Sequence, residues 1–186
     1  TIQRRDGLAC MTSENHQSGT DRIYEALNIF DQNHSIEYIV NLQGDLPTID
    51  QFALKEVINL LDKTEVDIGT LVAPFKDFDE MQKDHYVKAE CNFKSNNHNA
   101  RAINFTRIAN KEKMENFYHH IGIYSYKREA LEKFVKFKQT DREKEEKLEQ
   151  LRAIENNMHI GVSLINSPIL GIDTQEDLDN IREIQK

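Results

Sequence analysis

The chain has 186 residues, of which 38% are hydrophobic and 30% are charged. This length fits one α/β-sized domain or the larger part of a bigger one, and the apolar fraction is sufficient to bury a core. The 24 basic and 32 acidic residues give a net charge of −8, which argues against a general nucleic-acid-binding surface. Because its apolar runs are far shorter than the roughly 20 residues that cross a bilayer, we expect no membrane segment.

The two cysteines, Cys10 and Cys91, form no Cys-x-x-Cys pattern. This usage indicates a reducing compartment, and we expect a cytoplasmic protein. With no internal repeat and no linker, residues 1–186 are predicted to form a single domain. Because the chain opens on Thr1 and a short polar run, we expect that domain to be incomplete at its N-terminus.

The first half of the chain alternates strand and helix patterns. We predict a short strand at 8–12, a helix at Thr20–Phe30, a strand at 36–42, a helix at 50–62 and a strand at 66–75. The last of these strands is almost continuously apolar, as is typical of a strand buried on both faces. The alternation predicts an α/β fold with a parallel or mixed sheet covered by helices.

The second half begins with two strand-like runs, 85–93 and 100–106, around an Asn-rich turn. They predict an antiparallel hairpin that projects from the sheet and contributes part of a dimer interface. A strand at 117–126 and a helix at 128–137 are expected next.

Thr140 and Glu143 form a capping box and predict one further helix, which turns Leu148, Leu151 and Ile154 inward. The charged run 141–147 is interpreted as the solvated face of that helix. A strand at 159–166 and a helix starting at Thr174 complete the expected elements.

Two aspartates occupy strand-to-helix corners, where open α/β sheets bind ligands. Asp45 follows a predicted strand, and Asp173 precedes a helix that Thr174 and Asp177 can cap by themselves. Carboxylates at these corners could hold Mg²⁺ against a phosphate. The alternatives are a turn aspartate for Asp45 and a helix cap for Asp173.

Other polar residues have weaker signals. The loop at His16–Arg22 leads into a helix start that could bind an anion or acceptor atoms, or could simply be capped by Thr20. His119 and His120 alternate along a strand and do not converge, so zinc binding is not expected. Arg107, Glu149 and Gln150 could contact a ligand or be ordinary surface.

Five motifs, in order along the chain, carry a resemblance to a known family. They are HQSGTDR at His16–Arg22, NLQGD at Asn41–Asp45, HIGIYSY at His120–Tyr126, KLEQLR at Lys147–Arg152 and GIDTQEDL at Gly171–Leu178. Together they resemble the 3-deoxy-manno-octulosonate cytidylyltransferases over essentially the whole chain. The resemblance implies a Rossmann-like nucleotidyltransferase fold: a mixed sheet with helices on both faces and an inserted β-hairpin.

The resemblance also implies a homodimer that transfers CMP from CTP to 3-deoxy-manno-octulosonate (Kdo) with Mg²⁺ as cofactor. Matching the motifs assigns roles residue by residue: Asp45 and Asp173 as catalytic metal ligands; Ser18, Gly19 and Gln43 in the cytidine pocket; and Arg107, His120, Glu149 and Gln150 around Kdo, with Arg107 and His120 as candidate cations.

Three departures from the family pattern bear on activity. The family's N-terminal PARxxSxRxPxK phosphate loop has no match, an acidic residue after the QGD aspartate is replaced by Leu46, and a proline-bearing segment is replaced at residues 108–110. We therefore expect slow CTP turnover and any residual binding to favour the sugar acid. The alternatives are a non-catalytic remnant of the enzyme, a related sugar nucleotidyltransferase and a glycosyltransferase, although the last usually carries an Asp-x-Asp motif where this chain has Gln43-Gly44-Asp45.

Overall fold

The computed structural model describes residues 2–166, 169, 171, 172 and 175–184, with the side chains of residues 176, 180 and 184 left out. Its α-helices are α1 (Gly19–Phe30), α2 (Gln51–Asn59), α3 (Phe78–Met81), α4 (Arg128–Phe134), α5 (Asp141–Glu146), α6 (Gln150–Glu155) and α7 (Gln175–Ile184). Its strands are β1 (Tyr38–Asn41), β2 (Ile68–Pro74), β3 (Lys88–Cys91), β4 (Asn99–Thr106), β5 (Phe117–Lys127) and β6 (Ile160–Leu164). Short 3₁₀ helices occur at Ile2–Arg5, Leu60–Asp62 and Lys111–Asn116.

The six strands form one mixed sheet in the order β1-β5-β2-β6-β4-β3. Strands β2 and β6 are parallel, and the other pairs are antiparallel. The long strand β5 pairs with β3 through its first residues and with β1 through its last residues, so the pairings close a ring from β5 back to β5.

The side chains of β2 and β5 alternate between two apolar layers. Val72 and Tyr124 face a layer that includes residues of α1, α4 and α6, whereas Leu71 and Ile123 face a layer that includes residues of α2. Alternation is expected because successive strand side chains point to opposite faces. The predicted α/β class, with a mixed sheet and helices on both faces, is confirmed.

Three local predictions need correction. No strand forms at 8–12, where Leu8 and Met11 are 75% and 92% exposed, because no neighbouring strand pairs with this segment. The hairpin of β3 and β4 is antiparallel as predicted, but it does not project from the sheet, since β3 pairs with β5 and β4 with β6.

The third correction concerns the helix predicted from Thr140 onward. The capping box between Thr140 and Glu143 is present, but the helix ends at Glu146 because Lys147 adopts a left-handed conformation with φ of 54°. A separate helix, α6, then starts at Gln150. Within the described ranges, no helix is both long and apolar enough to cross a membrane.

Candidate active site

A cavity of about 230 Å³ lies where the turn after β1 meets β5 and the segment before β3. We call it the Arg107 pocket. The residues that line it are Asp45, Leu46, Glu80, His85, Tyr86, Val87, Arg107, His119, His120, Ile121, Gly122, Ile169, Gly171 and Asp177. Although the chain has a net charge of −8, this cavity therefore combines carboxylates with an arginine and three imidazoles.

Asp45 contributes an exposed carboxylate to the Arg107 pocket. Its backbone carbonyl accepts a hydrogen bond of 2.9 Å from the N–H of Ile172, which ties the turn after β1 to the segment before α7. The predicted partner Asp173 follows Ile172 in the sequence but, like Thr174, lies outside the described residues.

The donor chemistry at Asp45 suits a hard cation, since Mg²⁺ takes carboxylate oxygens and commonly needs only one or two of them beside water and phosphate. Within the described part of the chain, no group of three or more histidine, cysteine or acidic side chains is arranged to hold a metal. The described residues therefore offer a partial site centred on one aspartate.

Arg107 is half-buried and is oriented by backbone carbonyls. Its Nη1 donates to the carbonyls of Asp84 and His85 at 3.3 and 3.2 Å, and its Nε donates to the carbonyl of Glu146 at 3.4 Å. Among the described residues no carboxylate forms an ion pair with it. Backbone carbonyls thus hold the guanidinium in place without an ion pair to a described carboxylate, an arrangement suited to recognition of an anion.

His120 is only 7% exposed, and its Nε2 lies 3.0 Å from the hydroxyl of Thr70. Burial, followed by the neighbouring His119, lowers the pKa of His120 from 6.5 to about 3. The expectation that His120 could be a second cation is therefore wrong for the free protein near neutral pH. A neutral imidazole can still offer a hydrogen bond to a hydroxyl group.

His119 faces the opposite way and contacts the rings of Phe75 and Tyr86. Burial, with smaller contributions from His85 and Lys88, lowers the pKa of His119 to about 4. Its buried Nδ1 has no hydrogen-bond partner among the described residues. The imidazoles of His119 and His120 are thus polar but uncharged groups of the pocket.

The second group of predicted residues surrounds the start of α1. Ser18 is the N-cap: its hydroxyl accepts from the N–H of Asp21 at 3.2 Å and donates to the carboxylate of Asp21 at 2.8 Å. A Cβ atom on Gly19 would meet Nε2 of Gln43 at 3.3 Å, so the absence of a side chain permits this close approach. The structure therefore brings Ser18, Gly19 and Gln43 together.

Glu149 and Gln150 lie at the start of α6, where Glu149 contacts the first turn of α1, and neither residue lines the Arg107 pocket. The carboxylate of Glu149 accepts hydrogen bonds from the hydroxyl of Thr20 at 2.7 Å and from its N–H at 3.4 Å. A cavity of about 440 Å³, which we call the Ser18 pocket, is lined by Gln17, Ser18, Gln139, Glu143, Lys144, Lys147 and Glu149. Gln150 is 5% exposed. The predicted Kdo residues are thus divided between two places.

A buried ion-pair cluster supports this second region. Arg152, 2% exposed, donates to the carboxylate of Glu143 at 2.6 and 2.9 Å and to that of Asp21 at 3.3 Å. The interpretation of the charged run 141–147 as a solvated face is wrong at Glu143, which is 3% exposed. Spacing could not reveal this pairing, because it depends on the break between α5 and α6 at Lys147.

Sequence reasoning also missed Lys88. Its side chain is fully buried, and its Nζ donates to the carbonyls of Lys83, Tyr86 and Arg107 at 2.7–2.9 Å. Lysine is almost never fully buried unless it is paired, so a lysine in a strand is ordinarily interpreted as a surface residue. Nothing in the sequence pattern distinguishes Lys88 from such a residue.

The sequence model of the cytidylyltransferase family matches residues 1–160. The 3-deoxy-manno-octulosonate cytidylyltransferases of Bartonella bacilliformis and Bartonella quintana are 45% and 47% identical over 174 residues. Each match covers 94% of this chain and 71% of the relative.

A solved structure of CMP:2-keto-3-deoxy-manno-octonic acid synthetase complexed with CTP superposes with a TM-score of 0.82 at 26% identity. It covers 99% of this chain and 74% of the synthetase. Apo UDP-glucose pyrophosphorylase superposes with a TM-score of 0.66 at 11% identity, over 97% of this chain and 65% of the pyrophosphorylase, and shows similarity of fold alone.

Proposed function

Because the chain belongs to the 3-deoxy-manno-octulosonate cytidylyltransferase family, we propose that it transfers CMP from CTP to Kdo and releases pyrophosphate. The product, CMP-Kdo, would serve lipopolysaccharide biosynthesis in the cytoplasm. The observation that carries the proposal is the Arg107 pocket, where an exposed aspartate and an arginine without an ion pair to any described carboxylate line one cavity. The guanidinium of Arg107 suits the carboxylate of an acidic sugar, and the carboxylate of Asp45 suits a metal ion that is bound to phosphate.

In the proposed reaction the anomeric hydroxyl of Kdo attacks the α-phosphorus of CTP. A new oxygen–phosphorus bond forms, the bond to pyrophosphate breaks, and the hydroxyl proton is released. Arg107 binds the Kdo carboxylate, while neutral His120 contributes a hydrogen bond to a hydroxyl group. Because the guanidinium is fixed by three backbone carbonyls, the sugar acid would be oriented before the reaction.

Asp45 and Asp173 are the proposed holders of Mg²⁺, which would neutralise phosphate charge when bound. Support for this pairing comes from the hydrogen bond between Ile172 and Asp45. Ser18, Gly19 and Gln43 would line the cytidine site. We retain Glu149 and Gln150 as candidate Kdo contacts, although the carboxylate of Glu149 already accepts both hydrogen bonds from Thr20. We also retain the homodimer as part of the proposal, with the hairpin of β3 and β4 as the candidate interface.

The test is calorimetric titration of Kdo into the wild-type chain and into Arg107→Met. Hydrogen bonds to charged groups contribute about 1.5–3 kcal/mol, so we expect the Kd to rise at least about tenfold. Arg101→Met is the matched control, because Arg101 is exposed and lines neither pocket.

A second arm measures CTP binding and pyrophosphate release with and without Mg²⁺. Asp45→Asn should remove the Mg²⁺-dependent part of both while leaving Kdo binding without metal unchanged; the exposed Asp62→Asn is the control. If the wild-type chain binds no Kdo, or if Arg107→Met binds it normally, the proposed function is wrong.

A further inference from the structure

Lys88 is the most unusual charged residue near the Arg107 pocket. It is 0% exposed, and its three ammonium hydrogens are matched by three backbone carbonyl acceptors: Lys83 at 2.9 Å, Tyr86 at 2.9 Å and Arg107 at 2.7 Å. Such complete satisfaction offsets the cost of burying a charge. Desolvation nevertheless lowers its pKa below the ordinary lysine value, with the charges of Asp84 and Arg107 acting in opposite directions.

These three carbonyls belong to two segments of the pocket wall. One segment, residues 83–87, precedes β3, and the other begins just after β4 at Arg107. The side chain of Arg107 donates back to the first segment at the carbonyls of Asp84 and His85. Lys88 thus binds the backbone of Arg107, and the side chain of Arg107 binds the backbone of the segment that immediately precedes Lys88.

Lys88 has no carboxylate within ion-pair distance among the described residues. Lys88 thus lies behind the pocket wall and Arg107 lines it, and neither forms an ion pair with a carboxylate in the described part of the chain. A charge in a poorly solvated position acts more strongly than one at the surface, so the pair favours an anionic ligand group.

We infer that Lys88 is a positioning residue for sugar-acid recognition: it holds the backbone of Arg107 against residues 83–87 and so fixes the guanidinium that binds the carboxylate. This inference rests on the function proposed above. It assigns no direct ligand contact to Lys88, which is fully buried and does not line the Arg107 pocket.

The experiment compares Lys88→Met with a matched control, Lys127→Met. The Nζ of Lys127 also donates to backbone carbonyls, those of Lys63 at 3.0 Å and Thr64 at 3.2 Å, but it lines neither the Arg107 pocket nor the Ser18 pocket. Kdo binding is measured by calorimetry, and amide hydrogen exchange is followed at residues 83–87 and 107–108.

We expect Lys88→Met to raise the Kd for Kdo at least about tenfold and to accelerate exchange at both segments, while Lys127→Met changes neither. The effect on Kd should almost disappear when Arg107→Met is already present, because residues that act through one another are not additive. A folded Lys88→Met chain with normal affinity and exchange, or with an additive loss in the double variant, would overturn the inference.

Two further outcomes are also decisive. If the wild-type chain binds no Kdo, the proposed function fails, and the exchange data alone decide whether Lys88 positions Arg107. If Lys88→Met does not fold, Lys88→Arg replaces it, since a planar guanidinium cannot reproduce the three-carbonyl contact of an ammonium group. Normal exchange at residues 83–87 and 107–108 in that variant would refute the positioning role.

Discussion

The Arg107 pocket and the Ser18 pocket differ in whether their polar side chains pair with one another. Around the Ser18 pocket, polar motif residues bind one another: Glu149 contacts Thr20, and Arg152 contacts Asp21 and Glu143. In the Arg107 pocket, neither Asp45 nor Arg107 forms an ion pair with another described residue.

This difference shows that residues assigned to one ligand by resemblance, such as Arg107 and Glu149, need not lie in one pocket. Side chains of the HQSGTDR and KLEQLR motifs pair with one another and join α1 to α6, whereas Arg107 and Asp45 lie in the other pocket. Three measurements test this difference between the two pockets.

The largest effect is expected from Arg152→Met. This change leaves the buried carboxylate of Glu143 and the half-buried carboxylate of Asp21 without their cation, and breaking a buried pair such as that with Glu143 costs about 3–5 kcal/mol. Urea denaturation gives the free energy of unfolding. Lys144→Met is the control, because its ion pair with Asp141 is exposed and should contribute at most about 1 kcal/mol. Equal losses for both variants would mean that the Ser18 region gains nothing from its internal pairing.

The second effect concerns pH and the Arg107 pocket. The pKa of His120 is about 3 in the folded chain against 6.5 ordinarily, so the unfolded chain binds an extra proton between these values. The free energy of unfolding should therefore fall as the pH drops below about 6.5, by about 1.4 kcal/mol per pH unit for this group. His119 acts in the same direction down to about pH 4.

The measurement is denaturation at several pH values between 7 and 5, conditions chosen to bracket the start of this loss. His120→Gln should reduce the slope, because it removes the group that is held neutral by burial. An unchanged slope in His120→Gln would show that His120 is not held neutral.

The smallest effect is expected from Ser18→Ala. Removing the N-cap hydroxyl of α1 should cost about 1 kcal/mol of stability, and Ser18→Thr should retain most of it because the oxygen is kept. Thermal unfolding and CTP titration are measured on the same samples. Lost CTP affinity with unchanged stability would make Ser18 a ligand contact and not a cap, and would blur the contrast between the two pockets.

Local chemistry allowed much of the fold to be predicted. The helix at α1 follows from apolar spacing, and the cap of α5 follows from Thr140 and Glu143, because both signals lie within a few residues. The strand expected at 8–12 failed because an apolar run becomes a strand only when another strand pairs with it, and that partner cannot be read from the run itself.

The site was harder to predict for the same reason. Motif matching indicated Arg107 and Asp45, which the structure places in one pocket, but it could not separate Glu149 from them. The neutral state of His120 depends on burial among Thr70, Phe105 and Tyr124, which come from three different strands. Lys88 was invisible because its partners are backbone carbonyls, which every residue possesses.

The arrangement of β5 has a consequence for the order of folding. Strands β1, β2 and β3 all precede β5 in the chain, yet none of them pairs with another of the three; β5 pairs with each. During synthesis β1 and β2 therefore leave the ribosome before any strand that pairs with them has been made. Strand β3 can pair with β4 before β5 is available. Such dependence on distant partners is typical of slow-folding chains that need protection from aggregation while incomplete.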